Sequence, residues 1–161
     1  MIKKIAGASA LLMLLSVPAQ AANFMDAAWA TQACAAWNAD STLTSGLMDT
    51  DGYSWAKNDG GRGYKLVQMY RTQCGDATKI QLNIVVKDGK ASCAYGGAPD
   101  GKAMDYGVDE LMHANDADWA CMGKGEFGCG ARGAMMSGKL NFKGPKVEAM
   151  KVMSPFENFL K

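Results

Sequence analysis

Cysteine and histidine are the side chains with which this chain could form covalent bonds or hold a transition metal. It contains five cysteines and one histidine among 161 residues. His113 stands beside Leu111 and Met112, and nothing in the sequence places around it the nucleophile and orienting acid that a catalytic triad requires. We therefore predict that His113 is a surface or structural residue and that the protein is not an enzyme.

The cysteines have no C-x-x-C spacing, so a thioredoxin-like redox site has no support. In an oxidising compartment they are expected to form disulfides. Five cannot all pair within the chain, and two bonds with one free thiol allow 15 arrangements, from five choices of the free residue and three pairings of the rest. The residues concerned are Cys34, Cys74, Cys93, Cys121 and Cys129.

Methionine could supply further soft ligands, since Cys and Met sulfur selects copper(I) and related ions. Ten of the twelve methionines follow residue 21, because only Met1 and Met13 precede it. Methionine also fills irregular apolar space and forms adaptable binding surfaces. We predict no metal site. The methionines suit the lining of a deformable apolar cavity, whereas composition alone favours an ordinary hydrophobic core. A soft-metal or thiol-redox protein is the alternative.

Two glycine-containing motifs match ligand-binding loops only in part. Gly123–Gly128 has the G-x-G-x-x-G pattern, but a helix-like segment precedes it where a dinucleotide site needs a strand. Residues 49–52 read Asp-Thr-Asp-Gly, like the start of a calcium loop, yet the twelfth position is Gly60 instead of Glu. We predict plain turns at both places and no cofactor.

The N-terminus has the three-part pattern of a secretory signal peptide. Lys3 and Lys4 form a basic start, an uncharged apolar stretch follows over Ile5–Val17, and Ala19 and Ala21 suit a signal peptidase. A membrane-spanning helix is the alternative, but it needs about 20 apolar residues. We predict cleavage after Ala21 and a periplasmic or secreted protein.

The remaining chain, residues 22–161, has a length of 140 residues (161 minus 21), which suits a single domain. Without Lys3 and Lys4 the charge changes from 17 basic and 16 acidic residues to 15 and 16. A net charge of −1 gives no electrostatic basis for binding nucleic acid.

The first half of this domain is predicted to hold one helix and four strands. Phe24–Trp37 is Ala-rich and has an apolar residue at every fourth position, which predicts a helix capped by Asn23. Residues 38–63 are predicted as a loop with a short strand at Tyr53–Ala56, and Tyr64–Gln73 as a longer strand.

The clearest hairpin follows at Ile80–Lys87, where apolar residues alternate before an Asp88-Gly89 turn. If these strands are neighbours in chain order, Cys74 and Cys93 lie on strands separated by a third, too far apart for a disulfide. The predicted hairpin register pairs Lys87 with Lys90, Val86 with Ala91, Ile84 with Cys93 and Leu82 with Tyr95.

The C-terminal half alternates between short elements. The expected fold is α+β, with a mainly antiparallel sheet and helices on one face. Asp116 and Asp118 are predicted to cap a helical turn around Trp119. The other predicted elements are a strand at Lys102–Gly107, a helix at Val108–His113, a helix at Glu126–Ser137, a strand at Leu140–Lys143, and a helix from Pro145 that ends at Pro155.

Three segments of this half resemble the sterol carrier protein type-2 family. Met136–Gly144 resembles the family's helix that leads through a small-Gly-Lys-Leu run into an edge strand closed by glycine. Asp105–Leu111 is similar to its strand-to-helix step, and Val147–Met153 to its closing apolar helix. The likeness extends over residues 64–160. Pro145 and Lys146 depart from it, because the family has an acidic residue after the closing glycine.

The resemblance implies a five-stranded sheet whose helices enclose an apolar tunnel, with no catalytic chemistry. It implies a lipid-binding or lipid-transfer protein whose ligand is a lipid, fatty acid or sterol, with transient membrane contact. Export is expected from the signal peptide and departs from the best-known members of the family, which are intracellular. An accessory domain that presents such a ligand to a partner is an alternative. The helix at Glu126–Ser137 would act as a lid, and this helix and the C-terminal segment would part to admit the ligand. The positions that match the tunnel lining are Phe127, Met135, Met136, Leu140, Phe142, Met150 and Met153.

Overall fold

Residues 22–39, 50–125 and 127–160 are described by a computed structural model. The predicted signal peptide at residues 1–21 lies outside this part of the chain, as does Asp49. Among the described residues, no helix combines the length and the apolar character that crossing a bilayer requires.

The described elements alternate between helices and short strands. Two single 3₁₀ turns, Thr72–Cys74 and Asp76–Thr78, join the first two strands. In chain order the helices and strands are α1 (Ala27–Ala39), α2 (Thr50–Lys57), β1 (Lys65–Arg71), β2 (Ile80–Lys87), β3 (Lys90–Gly97), β4 (Glu110–Ala114), α3 (Asp116–Lys124), α4 (Ala131–Ser137), β5 (Asn141–Lys143) and α5 (Lys146–Leu160).

The five strands form one sheet in the order β3-β2-β1-β4-β5. Three of the four pairings are antiparallel, and β1 with β4 is parallel. The predicted α+β class with a mainly antiparallel five-stranded sheet is confirmed. The apolar residues of the inner face form a hydrophobic core with residues of α1 to α5.

The β2–β3 hairpin has the predicted turn, since Asp88 and Gly89 both adopt positive φ, at 51° and 73°. The predicted pairs are confirmed from Lys87–Lys90 back to Ile84–Cys93. The Leu82–Tyr95 pair is wrong, because a β-bulge between Asn83 and Ile84 adds a residue to β3. Leu82 pairs with Gly96 instead.

Helix α1 begins later than predicted. Met25 has a positive φ of 61°, and the side chain of Asp26 accepts a hydrogen bond from the Trp29 backbone N–H at 2.7 Å. Asp26 thus caps the helix, in place of Asn23. The predicted apolar stripe does face the core, where Ala33 and Trp37 are buried.

Helix α1 lies close against the edge strand β3. The side chain of Asn38 bonds both the N–H and the C=O of Cys93, at 3.0 and 2.7 Å. At Gly96 an added Cβ would lie 2.1 Å from the Ala30 carbonyl oxygen, so this approach requires glycine. The helix therefore covers hydrogen-bonding groups that an edge strand would otherwise expose.

Two predictions for the middle of the chain are wrong in element type. The predicted short strand at Tyr53–Ala56 is part of α2, which buries the adjacent residues Trp55 and Ala56. Adjacent buried residues fit a helix face better than a strand, whose side chains alternate. The plain turn predicted at residues 49–52 is also wrong, because the helix begins at Thr50.

The predicted strand at Lys102–Gly107 is also absent, because these residues are irregular and end in a turn. The predicted helix at Val108–His113 is instead strand β4, with burial that alternates along Glu110–Ala114. Pairing with β1 on one side and β5 on the other determines this conformation. The local helical pattern is overridden by tertiary pairing.

Three helix boundaries also differ from prediction. Asn115 caps α3 by accepting a hydrogen bond from the Asp118 backbone N–H at 2.8 Å, so the predicted caps Asp116 and Asp118 lie in its first turn. The predicted helix at Glu126–Ser137 begins only at Ala131. Helix α5 passes through Pro155 and continues to Leu160.

The glycine-rich segment at Gly123–Gly128 ends α3 and enters a turn, as predicted. Gly125 is in the left-handed conformation and caps the helix. Within the described parts of the chain, no group of three or more His, Cys, Asp or Glu residues is placed to hold a metal ion.

Four cysteines form two disulfides. Cys34 of α1 is bonded to Cys93 of β3, and Cys121 of α3 is bonded to Cys129 before α4. Cys74 is free and exposed. The prediction that Cys74 and Cys93 are not bonded to each other is confirmed. Cys74 follows β1, Cys93 lies on β3, and β2 separates these two strands in the sheet.

The two disulfides are expected to differ in their contribution to stability. They join residues 59 and 8 positions apart. Loop-closure entropy predicts that the free energy of unfolding falls by about 4 kcal/mol in the double variant Cys34→Ala and Cys93→Ala. The double variant Cys121→Ala and Cys129→Ala should lose about 2.5 kcal/mol. Urea denaturation followed by circular dichroism measures both. Cys74→Ala is the control and should change stability by less than about 0.5 kcal/mol. A larger loss from the short loop would contradict the prediction.

Candidate functional site

The inner face of the sheet and the helices above it enclose a small void. Its volume is about 10 Å³, which is room for about one water molecule. Seven of its eight lining residues are apolar or aromatic, and the eighth is a glutamate. The lining residues are Trp37, Trp55, Val67, Glu110, Met112, Val152, Met153 and Phe156.

The structure divides the seven predicted lining residues among the core, its margin and the surface. Leu140 and Met153 are each 1% exposed and lie in the core, where Met153 also lines the void. Phe127 and Met136 are exposed on the surface. The other three, Met135, Phe142 and Met150, are half-buried and pack against the core.

Most residues that line the void were not among those predicted. Trp37 carried a signal, since it ends the apolar stripe of α1. Trp55 lies in a segment predicted as a short strand, and Glu110 in a segment predicted as a helix. Charged residues are usually exposed, so the sequence gives no sign that Glu110 is buried unless its strand is predicted first.

Glu110 is a carboxyl group inside the core. It is 1% exposed, and the Trp55 indole N–H donates a hydrogen bond to its Oε1 at 2.6 Å. Burial raises the pKa of Glu110 to about 7, because the charged form loses its hydration. The Trp55 hydrogen bond and the Lys65 charge oppose this change, while the Glu148 and Asp109 charges add to it.

Lys65 contributes a positive charge that acts on this carboxyl and lowers its pKa. It lies on the inner face of β1 with a fully buried side chain, and its Nζ is 4.9 Å from the centroid of the Trp55 ring. The Nζ also lies 3.4 Å from Oε2 of Glu148, which accepts a hydrogen bond from Asn58 at 2.6 Å. A buried lysine is stable only with such partners.

This polar cluster lies between the void and a surface groove. The groove has a volume of about 570 Å³ and is lined by Asn58, by residues 144–148 and by Lys151. Glu148 thus belongs both to the groove and to the ion pair with Lys65. Trp55 and Glu110 therefore connect the void with this cluster, and Glu148 connects the cluster with the groove.

The outer face of the sheet is closed by hydrogen bonds between polar side chains. The Gln68 amide donates to Gln81 at 2.8 Å, and Asp100 accepts from Gln81 and Asn83 at 2.8 and 3.0 Å. Asp109 accepts from the Arg62 guanidinium and from the Leu66 backbone N–H at 2.8 Å. The apolar void consequently lies on the helical side.

His113 has structural contacts on this outer side. Its Nδ1 lies 2.9 Å from the Thr72 hydroxyl, and its ring stacks on Tyr70 with 4.5 Å between centroids. Burial lowers the pKa of His113 below the ordinary value. These contacts agree with its interpretation as a structural residue.

Comparison with known proteins shows the fold. No family model and no curated protein matches the chain. The crystal structure of sterol carrier protein 2 aligns with a TM-score of 0.52, covers 85% of this chain and 95% of its own, and is 16% identical. This chain has a sterol carrier protein 2-like fold.

Two further solved structures align less well with this fold. Sterol carrier protein 2 from Yarrowia lipolytica, in its apo form, has a TM-score of 0.38, covers 74% of this chain and 87% of its own, and is 16% identical. A conserved hypothetical protein from Thermus thermophilus has a TM-score of 0.40, covers 73% of this chain and 78% of its own, and is also 16% identical.

Glu110→Gln tests the burial of the carboxyl group. The pKa of Glu110 is about 7 in the folded protein and 4.5 ordinarily, so the folded state binds more protons between these values. Its contribution to stability is present below the ordinary pKa and is lost as the pH rises towards 7. The free energy of unfolding of the wild type, minus that of the variant, should fall by about 3 kcal/mol between about pH 4.5 and pH 8.

Urea denaturation across this pH range measures the difference. Asp76→Asn is the matched control, since this carboxyl is 70% exposed. If the free energies of unfolding of the wild type and Glu110→Gln differ by the same amount at every pH, Glu110 is hydrated in the folded protein.

Proposed function

We propose that this protein is an exported, non-catalytic lipid-binding protein that holds an apolar ligand between the sheet and the helices. The observation that carries the proposal is the apolar void on the helical side of a sterol carrier protein 2-like fold. Removal of a lipid chain from water is favourable by about 0.8 kcal/mol per buried CH₂ group. This is the physical basis of binding without catalysis.

The pocket must expand to admit a lipid, because its present volume is about that of one water molecule. Ligand pockets of drug-sized molecules are typically about 300–1,000 Å³. Methionine side chains make such expansion less costly, since they are unbranched and adaptable. Met112 and Met153 line the void, and Met150 packs beside it.

Helix α4 was expected to act as a lid, and its contacts determine how it can move. The Cys121–Cys129 disulfide links the start of α4 to α3. Glu157 of α5 accepts a hydrogen bond from the Ala131 backbone N–H at 3.0 Å. The Arg132 guanidinium donates to the Met150 carbonyl oxygen at 3.0 Å. We therefore propose that α4 and α5 move together when a ligand enters.

The seven residues from the family resemblance fit a pocket opened in this way. Leu140 and Met153 would lie at its base, and the half-buried Met135, Phe142 and Met150 would form its wall. Phe127 and Met136 would form its outer rim, where exposed apolar side chains suit transient contact with a membrane. The domain in this proposal comprises residues 22–161.

Export agrees with the disulfide content. Disulfides persist in oxidising compartments such as the bacterial periplasm, and four of the five cysteines are bonded here. The signal peptide at residues 1–21 would direct the chain there. The same bonds weaken the alternative of a soft-metal protein, because bonded sulfur atoms are not available as thiolate ligands.

Lipid uptake is expected to be saturable and to depend on the void. A neutral fluorescent probe such as Nile red should bind the wild type, and a bound lipid should alter emission from Trp37 and Trp55, which line the void. Val67→Phe fills this space and should weaken binding by about tenfold, or about 1.4 kcal/mol, because the larger side chain occupies the volume that the ligand would take. Fluorescence titration measures both.

Val86→Phe is the matched control, because Val86 is 38% exposed at the end of the hairpin. Val67→Ala enlarges the void and should bind the probe at least as tightly as the wild type. Absence of saturable binding by the wild type, or equal affinities of the two Phe variants, would contradict the proposed function.

Hydrogen exchange should slow in both α4 and α5 when a lipid is bound. Their shared contacts at Glu157 and Arg132 predict that the two helices respond together. Mass spectrometry of amide exchange, with and without ligand, measures this protection, and the β2–β3 hairpin serves as the internal reference. Unchanged exchange in α4 would rule out its role as a lid.

A further inference from the structure

The wall of the void contains one arrangement that an apolar pocket does not need. Glu110 is the single charged residue among those that line it. Trp55 both lines the void and donates its indole N–H to Glu110. A few polar groups in an otherwise apolar pocket typically determine the orientation of its ligand.

Stability alone does not account for this arrangement. The side chains of Lys65 and Glu110 are nearly or completely buried, at 0% and 1% exposure. Buried charges lose hydration, and replacing a buried ion pair with apolar residues is often neutral or stabilising. Two ionisable side chains in the core are therefore better explained by recognition of a polar group.

We propose that Glu110, Lys65 and Trp55 form a head-group site, which takes the uncharged hydroxyl of a long-chain lipid in preference to a carboxylate. This inference rests on the proposed function, because it assigns the polar end of the same pocket. A hydroxyl can donate a hydrogen bond to the Glu110 carboxyl and accept one from the Lys65 ammonium, so it matches both groups.

The charges of the cluster explain the preference. Lys65 carries one positive charge, Glu148 lies 3.4 Å from its Nζ, and Glu110 faces the same region from β4. Asp109, the chain neighbour of Glu110, is paired with Arg62 on the outer face. A ligand carboxylate would be a third negative group near one cation, whereas a hydroxyl adds no charge.

The position of the groove determines the orientation of the ligand. Glu148 lines the groove and contacts Lys65, so the polar end of the pocket is the end nearer to solvent. A hydroxyl bound there directs the chain towards Met112, Met153 and Phe156. The head is thus held near the α2–α5 junction and the chain is buried deeper.

Competition between ligands of equal chain length tests the proposal. Displacement of bound Nile red by 1-dodecanol and by dodecanoate is measured at about pH 8, where Glu110 is expected to be largely ionised. The wild type should bind dodecanol about tenfold more tightly, the effect of about one hydrogen bond or one like-charge contact. Glu110→Gln removes the repulsion and should abolish most of this preference by strengthening dodecanoate binding.

Lys65→Met should change the affinity for dodecanoate in the opposite direction. It removes the cation of the cluster, so dodecanoate should bind more weakly than to the wild type. Asp76→Asn again is the control, since it removes an exposed carboxyl outside the pocket and should leave the preference unchanged. Circular dichroism verifies that each variant is folded. The two pocket variants change the acid affinity in opposite directions, so either one alone tests the proposal.

The outcomes separate this proposal from the proposed function. If Nile red and dodecanol bind saturably but dodecanoate binds equally well, the head-group site is wrong and lipid binding remains. The same conclusion follows if the preference persists unchanged in Glu110→Gln. If no probe binds the wild type saturably, the proposed function itself is contradicted and the head-group site with it.

Discussion

The inner face of the sheet must be covered by helices, and most of the structure follows from this constraint. This face is apolar along β1 and β2, where Val67, Met69 and Leu82 are almost fully buried. Such a surface is stable in water only beneath a second layer. Helix α5 supplies Val152, Met153 and Phe156 to that layer. Its apolar contacts continue past Pro155, and they explain why the helix also continues past this residue.

The helical layer is held at its two ends by different means. At one end α1 is joined to the edge strand β3 by a disulfide, by side-chain hydrogen bonds from Asn38 and by the close approach at Gly96. At the other end α4 contacts its neighbours through a second disulfide and through Glu157. These contacts add to the apolar core that the helices share with the inner face of the sheet.

The polar cluster results from one unusual strand pairing. Parallel pairing of β4 with β1 places Glu110 opposite Val67, on the inner face, and therefore near Lys65. The alternate residues Asp109 and Leu66 then meet on the outer face, where the Leu66 backbone N–H donates to Asp109. The same pairing thus satisfies one carboxylate outside the core and leaves another inside it, beside the void.

The sequence by itself determined the features that depend on neighbouring residues. The Asp88-Gly89 turn and the adjacent register follow from local backbone preferences, and the strand at Leu140–Lys143 and the general α+β class follow from apolar patterns. Only the tertiary structure decided the disulfide between Cys34 and Cys93, because it joins residues 59 positions apart. It also decided that Glu110 lies in a strand and points inward. That outcome depends on pairing with β1, which the residues around Glu110 do not encode.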